Sequence, residues 1–479
     1  MTDSFTALVA AARPEDTFLE DARSARRVRY RELDDRLRGV AGGLATRPGV
    51  ARIALDIEDA VDLAVTHLAV MAAGRLSAPL DPHAPVSAQR RDVEALRCDL
   101  VVSDRPDRWS GRAVLHPSEL DAAGDSDPAT GGTGGVLMQT SGSTGTPKIV
   151  RLDTAQLLAT ANAVATNLEL RPGDRGYNPL PLFHINGQVV AVLGTLVTGS
   201  TLVLDDRFHR TGFWDLMTER RITWINAVPA MLGILARELP ERGPETLRLI
   251  RSASAPLPRT VRDRLQSVLE VPLIESYGMT EAGSQITAGA LDASTPTGSV
   301  GRPAGADVQV RGVGTDGIGR IWIRGPGVIR GYEGGRAAER FDADGWLDTG
   351  DDGYFADGGE LYIAGRSDDQ INRGGELLYP AEIEDVLRKD DRVAEIAVIG
   401  RPDDTLGEVP VAYVVRRHAD GDRDDLAADL AARAERELSR HKRPVDIHLV
   451  EDLPRTPTGK IRRAAVPTAT GHAGRRSRT

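Results

Sequence analysis

The chain has 479 residues, 41% of them hydrophobic, and carries 60 Lys+Arg against 70 Asp+Glu for a formal net charge of −10. That length accommodates two or three domains, and the acidic balance, with no basic stripe, argues against a nucleic-acid partner. No run of about 18 consecutive apolar residues occurs, so no membrane-spanning helix is expected.

The one cysteine, Cys98, excludes an internal disulfide and suits a reducing, cytoplasmic setting. The opening MTDSFTALVAAARPED has neither a basic start nor a long apolar run and does not read as a signal peptide. The chain uses arginine almost wherever a cation is wanted. Its lysines are Lys148, Lys389, Lys442 and Lys460; lysine is retained either where a compact charge on a flexible stem is needed or by chance, and chance suffices for Lys389 on a surface helix.

In chain order the elements alternate. ARIALDI at 51–57 reads as a strand, and Asp59 caps a helix with Val61, Ala64, Val65, Leu68 and Met71 on one face. GDSDPATGGTGG at 124–135 is low-complexity. VLMQT at 136–140 and IVRL at 149–152 read as strands, Thr154 to Leu168 as a helix, and GQVVAVLGTLVTG at 187–199 as a buried helix. TWINAV at 223–228, LRLI at 247–250 and VPLIES at 271–276 read as further strands separated by helical stretches.

This pattern predicts an α/β fold, a large N-terminal domain of mostly parallel sheets with helices. Such sheets present ligand sites at the carboxyl ends of their strands. The polar signatures at 140–148, 252–258 and 277–281 each follow a strand directly.

From about 300 to 367, VQVRG, GRIWIRGPG and GELYIAGR suggest a small β-subdomain. A boundary falls at Arg366–Asp369, giving domains 1–367 and 368–466. The second is an α+β unit with a helix from Pro380, strands at 393–400 and 410–416, a helix near 423–440 and a strand at 446–450. Residues 467–479, ending in GRRSRT, read as a disordered tail.

The loop TSGSTGTPK at Thr140–Lys148 carries the first chemical signal. Its glycines allow close backbone approach, and its hydroxyls and lysine supply donors for phosphate oxygens. It is not a Walker loop, because Lys148 leads into a strand rather than a helix, which disfavours a P-loop kinase or ATPase. A plain flexible loop has the same composition.

Further segments follow in order: LPLFHINGQ at 180, SASAPLP at 252, YGMTE at 277, GSVGRP at 298, DTGD at 348, GRSDDQINRGGE at 365 and PTGK at 457. Together with Thr140–Lys148 they resemble the motif set of the adenylate-forming superfamily, which includes acyl- and aryl-CoA ligases, adenylation domains of peptide synthetases and beetle luciferases. The resemblance runs from YRELDDRLRGVAGGL near 30 to PRTPTGKIRR at 454–463.

The resemblance implies an ATP-dependent carboxylic acid–CoA ligase with a small, mobile C-terminal domain, using ATP, Mg²⁺ and coenzyme A, or a carrier protein's phosphopantetheine in its place. Its partners would be a small-molecule acid and CoA, with an acyl carrier protein as the other acceptor, and the protein would be a monomer or homodimer.

Residue by residue, Thr140, Ser141, Gly142, Ser143, Thr144, Gly145 and Lys148 would hold the β- and γ-phosphates. Thr280 would bond the α-phosphate, and Glu281 would be the metal ligand. Tyr277, Gly278 and Met279 would meet adenine against Ser254, Ala255 and Pro256. Asp351 would accept both ribose hydroxyls, and Arg366 would add a donor there. Lys460 would reach the carboxylate and the α-phosphate. A hinge at Asp368 would exchange Lys460 for Gly374 and Gly375 beside the thiol tunnel, although two adjacent glycines also make a simple tight turn.

The acyl pocket would take His184, Asn226, Ala227, Ser252, Gly278 and Ser284. Amino-acid-activating relatives place aspartate where this chain has His184, so a neutral or weakly polar acid is favoured over an α-amino acid. A packed core histidine is the other account of His184. The chain departs from the family pattern at Ile149, Thr154, Arg320 and Asn372. A carrier-loading enzyme and a catalytically inactive nucleotide-binding homologue remain the alternatives to a CoA ligase.

Overall fold

The computed structural model describes residues 4–121, 134–140, 148–292, 294–315, 317–374, 376–417, 423–455 and 461–466, without the side chains of 423–425 and 464. Ser141–Pro147, Gly375, Lys460 and the expected tail lie outside the described residues. The chain divides into two compact units. One comprises Met1–Gln309, Trp322–Asp348 and Phe355–Tyr362; the other comprises Val310–Ile321, Thr349–Tyr354 and Ile363–Thr479.

The first unit holds a nine-stranded sheet. Its order is Arg302–Pro303, Thr287–Ala288, Leu273–Tyr277, Leu249–Ala253, Trp224–Ala227, Arg175–Asn178, Thr201–Leu204, Thr17–Asp21 and Arg27–Arg29. The strands from Leu273–Tyr277 through Thr17–Asp21 are parallel, and antiparallel strands close both edges.

Strands covered on both faces read as continuous apolar runs, and Leu249–Ala253 and Trp224–Ala227 are buried throughout. Alternation along each strand sends Ile225 and Ile250 into a hydrophobic cluster with Tyr177, Phe213 and Leu273. Asn226 and Arg251, register partners, therefore face the opposite side.

A six-stranded sheet runs Val114–Leu115, Leu100–Ser103, Arg52–Asp56, Leu76–Pro79, Gly135–Thr140 and Lys148–Asp153. It is parallel except for the final pair, which is antiparallel and sets Thr140 opposite Lys148. Asp59 caps helix Ala60–Ala72 by accepting from the Asp62 N–H at 2.8 Å, and the expected apolar face of that helix is buried. The stretch expected as a buried helix at 187–199 is one, but Gly187–Leu193 winds as a π-helix before Gly194–Thr198. Such wide turns recur at functional sites.

The strands Asp307–Arg311, Gly319–Arg324, Leu347–Phe355 and Leu361–Arg366 form a four-stranded sheet in that order. The second unit's own sheet runs Glu376–Leu378, Ile371–Arg373, Gly407–Arg416 and Val393–Asp403, with Asp446–Val450 pairing parallel to Gly407–Arg416. Helix Pro380–Leu387 and helix Arg423–Glu437 bury Ile383, Leu387, Leu426 and Leu430 in one core with this sheet. Lys389 pairs with Glu437 and Lys442 with Glu382, each at 2.7 Å. No helix among the described residues is long and apolar enough to cross a membrane.

Candidate active site

In the first unit, Lys148 begins the strand that follows the glycine loop. Its Nζ stands 5.2 Å from the ring centroid of Tyr332, a cation–π distance. The Tyr332 hydroxyl donates to Glu281 Oε1 at 2.8 Å and accepts from Arg340 Nη1 at 3.0 Å. Arg340 Nη2 in turn donates to the Asp348 carbonyl. Glu281 is 5% exposed and Tyr332 4%. Burial first, and then the Glu281 charge, raise the phenol's pKa above its ordinary value, so the hydroxyl stays protonated as a donor. Oε2 of Glu281 has no hydrogen-bond partner among the described residues.

The turn after strand Leu273–Tyr277 is closed tightly. A 3₁₀ turn at Thr280–Ala282 is followed by Gly283 at φ 60° and Ser284 at φ 93°. The Ser284 N–H donates to Met279 O at 3.0 Å, and the Ile286 N–H to Tyr277 O at 2.8 Å. A Cβ on Gly278 would fall 1.8 Å from the Ser284 carbonyl oxygen, so glycine is required where the two passes touch. The Ile329 N–H donates to Glu281 O at 2.8 Å, tying this turn to the segment that carries Tyr332.

Ser254, Ala255 and Pro256 are exposed just past strand Leu249–Ala253, with Ser254 at φ 79°. A non-glycine residue in that region is strained and is held by its surroundings. Here the Leu257 N–H donates to Glu275 Oε2 at 3.2 Å, and Glu275 forms a buried ion pair with Arg262.

Of the residues expected in the acyl pocket, Asn226 is completely engaged. Its Nδ2 donates to Asn178 Oδ1 at 2.9 Å and Asn186 Oδ1 at 2.8 Å, and its Oδ1 accepts from Arg251 Nη1 at 3.3 Å. Ala227 lies in the hydrophobic cluster on the sheet's other face. Ser252 is its register partner, with a buried Oγ that has no hydrogen-bond partner among the described residues. His184 is half-buried, its ring 4.4 Å from that of Phe183, which differs from a packed core histidine. Two clefts, of about 320 and about 570 Å³, border Asn167, and none of the described residues expected at the site lines either.

In the second unit, the two residues expected at the ribose come together: Arg366 Nε lies 3.4 Å from Asp351 Oδ1. The neighbouring Asp352 is buried and accepts from Ser367 Oγ and Gln370 Nε2, each at 2.8 Å. Arg320, a departure from the family pattern, pairs with Asp352 at 3.1 Å. Asp368 is exposed in the 3₁₀ turn Ser367–Asp369. Gly374 has φ 64°, and its N–H donates to Leu406 O at 2.7 Å.

Lys460 lies outside the described residues, but the chain after it is anchored. Ile461 bridges Arg455, the Arg462 N–H donates to Pro454 O at 2.7 Å, and Arg463 donates to Glu384 and to Val398 O. Thr154, the other departure near the glycine loop, donates its Oγ1 to Gly134 O at 2.9 Å in the first unit.

Tyr332, Arg340 and Arg251 formed no part of the sequence reading. Tyr332 and Arg340 sit outside every motif. Arg251 falls just past the apolar run LRLI, and the structure continues that strand to Ala253.

Residues 7–333 match the AMP-binding enzyme family, and residues 382–460 match the AMP-binding enzyme C-terminal domain. The chain belongs to this adenylate-forming family. It is 38% identical over 373 residues to a sulfoacetate–CoA ligase of Cupriavidus necator, covering 76% of this chain and 72% of that protein. It is 37% identical over 334 residues to a 2-succinylbenzoate–CoA ligase of Bacillus licheniformis, covering 68% of each. Among solved structures, o-succinylbenzoate CoA synthetase from Bacillus subtilis with its acyl-adenylate intermediate superposes with a TM-score of 0.87 at 27% identity, over 99% of both chains. The same enzyme with ATP and magnesium gives 0.86 at 28% identity, over 97% of this chain and 99% of that one.

Proposed function

We propose that this enzyme joins a carboxylic acid to coenzyme A in two steps. A carboxylate oxygen attacks the α-phosphorus of ATP, the bond to pyrophosphate breaks, and an acyl-adenylate forms. The CoA thiol, losing its proton, then attacks the acyl carbon and AMP leaves.

The observation that carries this reading is the Lys148–Tyr332–Glu281 string beside Thr280. It puts a lysine at the end of the glycine loop and a buried carboxylate on the turn that follows a parallel strand. Lys148 and the loop grip the phosphates that leave, and Thr280 donates to the α-phosphate. Glu281 suits Mg²⁺, because a carboxylate oxygen is a hard ligand, one oxygen is oriented by Tyr332, and the other has no described partner. Mg²⁺ held there by Glu281 would neutralise charge on the phosphate oxygens.

Tyr277 stacks on adenine, backed by the strained Ser254–Pro256 loop. Asp351 accepts the ribose hydroxyls, with Arg366 beside it. Lys460 orients the carboxylate and stabilises charge at the α-phosphate, and His184 sits at the acid. Asp368 serves as the hinge between steps, and Gly374 and Gly375 leave room for pantetheine. The acids named for the two relatives, sulfoacetate and 2-succinylbenzoate, are candidates here. A cytoplasmic location is consistent with the single, buried Cys98, whose thiol burial pushes up to about 12.

The test is an acid panel read by pyrophosphate release, repeated with CoA, without it, and with a phosphopantetheinylated carrier protein. Acid-dependent pyrophosphate release, followed by thioester and AMP with CoA, is expected. A thioester formed only on the carrier would reassign the acceptor, and no acid-dependent release from any acid would leave an inactive homologue.

A further inference from the structure

Arg251 lies in the middle of strand Leu249–Ala253 and is 0% exposed. Its Nη1 donates to Asn226, but Nε and Nη2 have no hydrogen-bond partner among the described residues. Those two nitrogens share one edge of the guanidinium plane, the edge that binds a carboxylate through two parallel bonds. Burial lowers the pKa of Arg251 only to about 10, so it is charged at neutral pH. No described acidic side chain pairs with it.

Other arginines in the same unit are built differently: Arg262 pairs with Glu275, Arg175 with Glu20, and Arg248 with Asp174. A buried cation without a counter-charge is costly unless something compensates it. Each such unsatisfied group in a folded protein calls for an explanation.

The surroundings indicate what the explanation is. Arg251 is in register with Ile274, and Ala253 with Ser276, so Ser276 projects from the same face one step nearer the strand ends. The Ser276 Oγ is likewise buried and has no partner among the described residues, and the next residue is Tyr277, where the turn bearing Thr280 and Glu281 starts. On the other side, Asn226 ties Arg251 to Asn186, two residues beyond His184.

We infer that Arg251 receives a second anionic group on the acid substrate, so that the enzyme takes acids bearing a carboxylate or sulfonate in addition to the carboxylate that is activated. Asn226 is a positioning residue: its amide fixes the guanidinium with the open edge free. This inference rests on the ligase reading and runs against the neutral acid expected from His184 alone.

Pyrophosphate release by wild type, Arg251→Met and Arg251→Lys is compared on matched acids, succinate against butyrate and sulfoacetate against propionate. Wild type is expected to favour the doubly anionic acid in kcat/KM. Arg251→Met removes the charge and the fork while keeping a similar bulk. It should lose about 10²-fold on succinate and sulfoacetate, with butyrate and propionate unchanged or improved. Arg251→Lys keeps the charge without the fork and should fall between. Wild type favouring butyrate, or Arg251→Met retaining the preference, overturns the inference.

Melting curves with succinate or butyrate read the subsite without turnover. Stabilisation by succinate in wild type but not in Arg251→Met supports it, and equal shifts in both count against it. If none of the acids elicits pyrophosphate release from wild type, the ligase reading fails, and these melting curves still decide the role of Arg251.

Discussion

Replacing Tyr332 by phenylalanine removes one oxygen atom from the candidate site and leaves the ring in place. That oxygen joins Glu281 at 2.8 Å to Arg340 at 3.0 Å inside a nearly closed environment. Hydrogen bonds to charged groups contribute about 1.5–3 kcal/mol, so Tyr332→Phe should destabilise the fold by about 2–3 kcal/mol. The Lys148 contact with the ring survives. Tyr332→Leu, which removes it too, should cost roughly 0.5–1 kcal/mol more.

The functional consequence is separate. Glu281 would lose the donor that orients it, and loss of such a supporting partner lowers metal affinity or activity by roughly 10–100-fold. The half-saturating Mg²⁺ concentration in pyrophosphate release should rise by that factor. Urea unfolding and a Mg²⁺ titration read the two effects. A Tyr332→Phe enzyme within about 0.5 kcal/mol of wild type, with the same Mg²⁺ dependence, would refute the reasoning.

Three further outcomes are expected. Lys460→Ala should slow adenylate formation by roughly 10²–10³-fold while leaving ATP binding largely intact; unchanged single-turnover pyrophosphate release would remove Lys460 from the reaction centre. Gly278→Ala forces a methyl group into the Ser284 carbonyl and should cost about 1–3 kcal/mol, weakening ATP binding through the displaced turn; native ATP affinity and stability would show the turn to be looser than described. His67 is buried, hydrogen-bonded through Nδ1 to Ser77 Oγ at 2.8 Å, and burial lowers its pKa from 6.5 to about 3. The unfolded chain therefore takes up this proton before the folded one does, and stability falls as pH drops below about 6.5. Near pH 5 the loss from this group is about 2 kcal/mol. His67→Gln should lose correspondingly less stability than wild type between neutral pH and about pH 5, and parallel pH profiles would count against the assignment.

The motif residues were legible because glycines, hydroxyls and turns leave local signatures. The strand before the glycine loop, the strand after it and the helix capped by Asp59 follow from apolar runs with polar punctuation. Arg175–Asn178, RGYN, gave no such run, yet it is a central parallel strand. Its burial comes from neighbours such as Trp224, whose ring approaches Gly176 so closely that a Cβ there would fall 2.5 Å from it.

Arg251 shows the same limit. A charged residue after LRLI looks like the end of a strand, and only the register with Asn226 reveals that the strand continues through it. Tyr332 and Glu281 meet across 51 residues of sequence, a separation over which neither periodicity nor local spacing carries information.

The lysines have a chemical consequence of their own. An acyl-adenylate is a mixed anhydride, and unprotonated amines are its natural victims. Lys389 and Lys442 are each paired with a carboxylate at 2.7 Å, and Lys148 is set against an aromatic face. Apart from these and Lys460, the Lys+Arg cations are arginines, whose guanidinium groups stay protonated and do not yield to such an electrophile. An enzyme that makes and briefly stores this intermediate thus carries a surface poor in groups that its own product would scar.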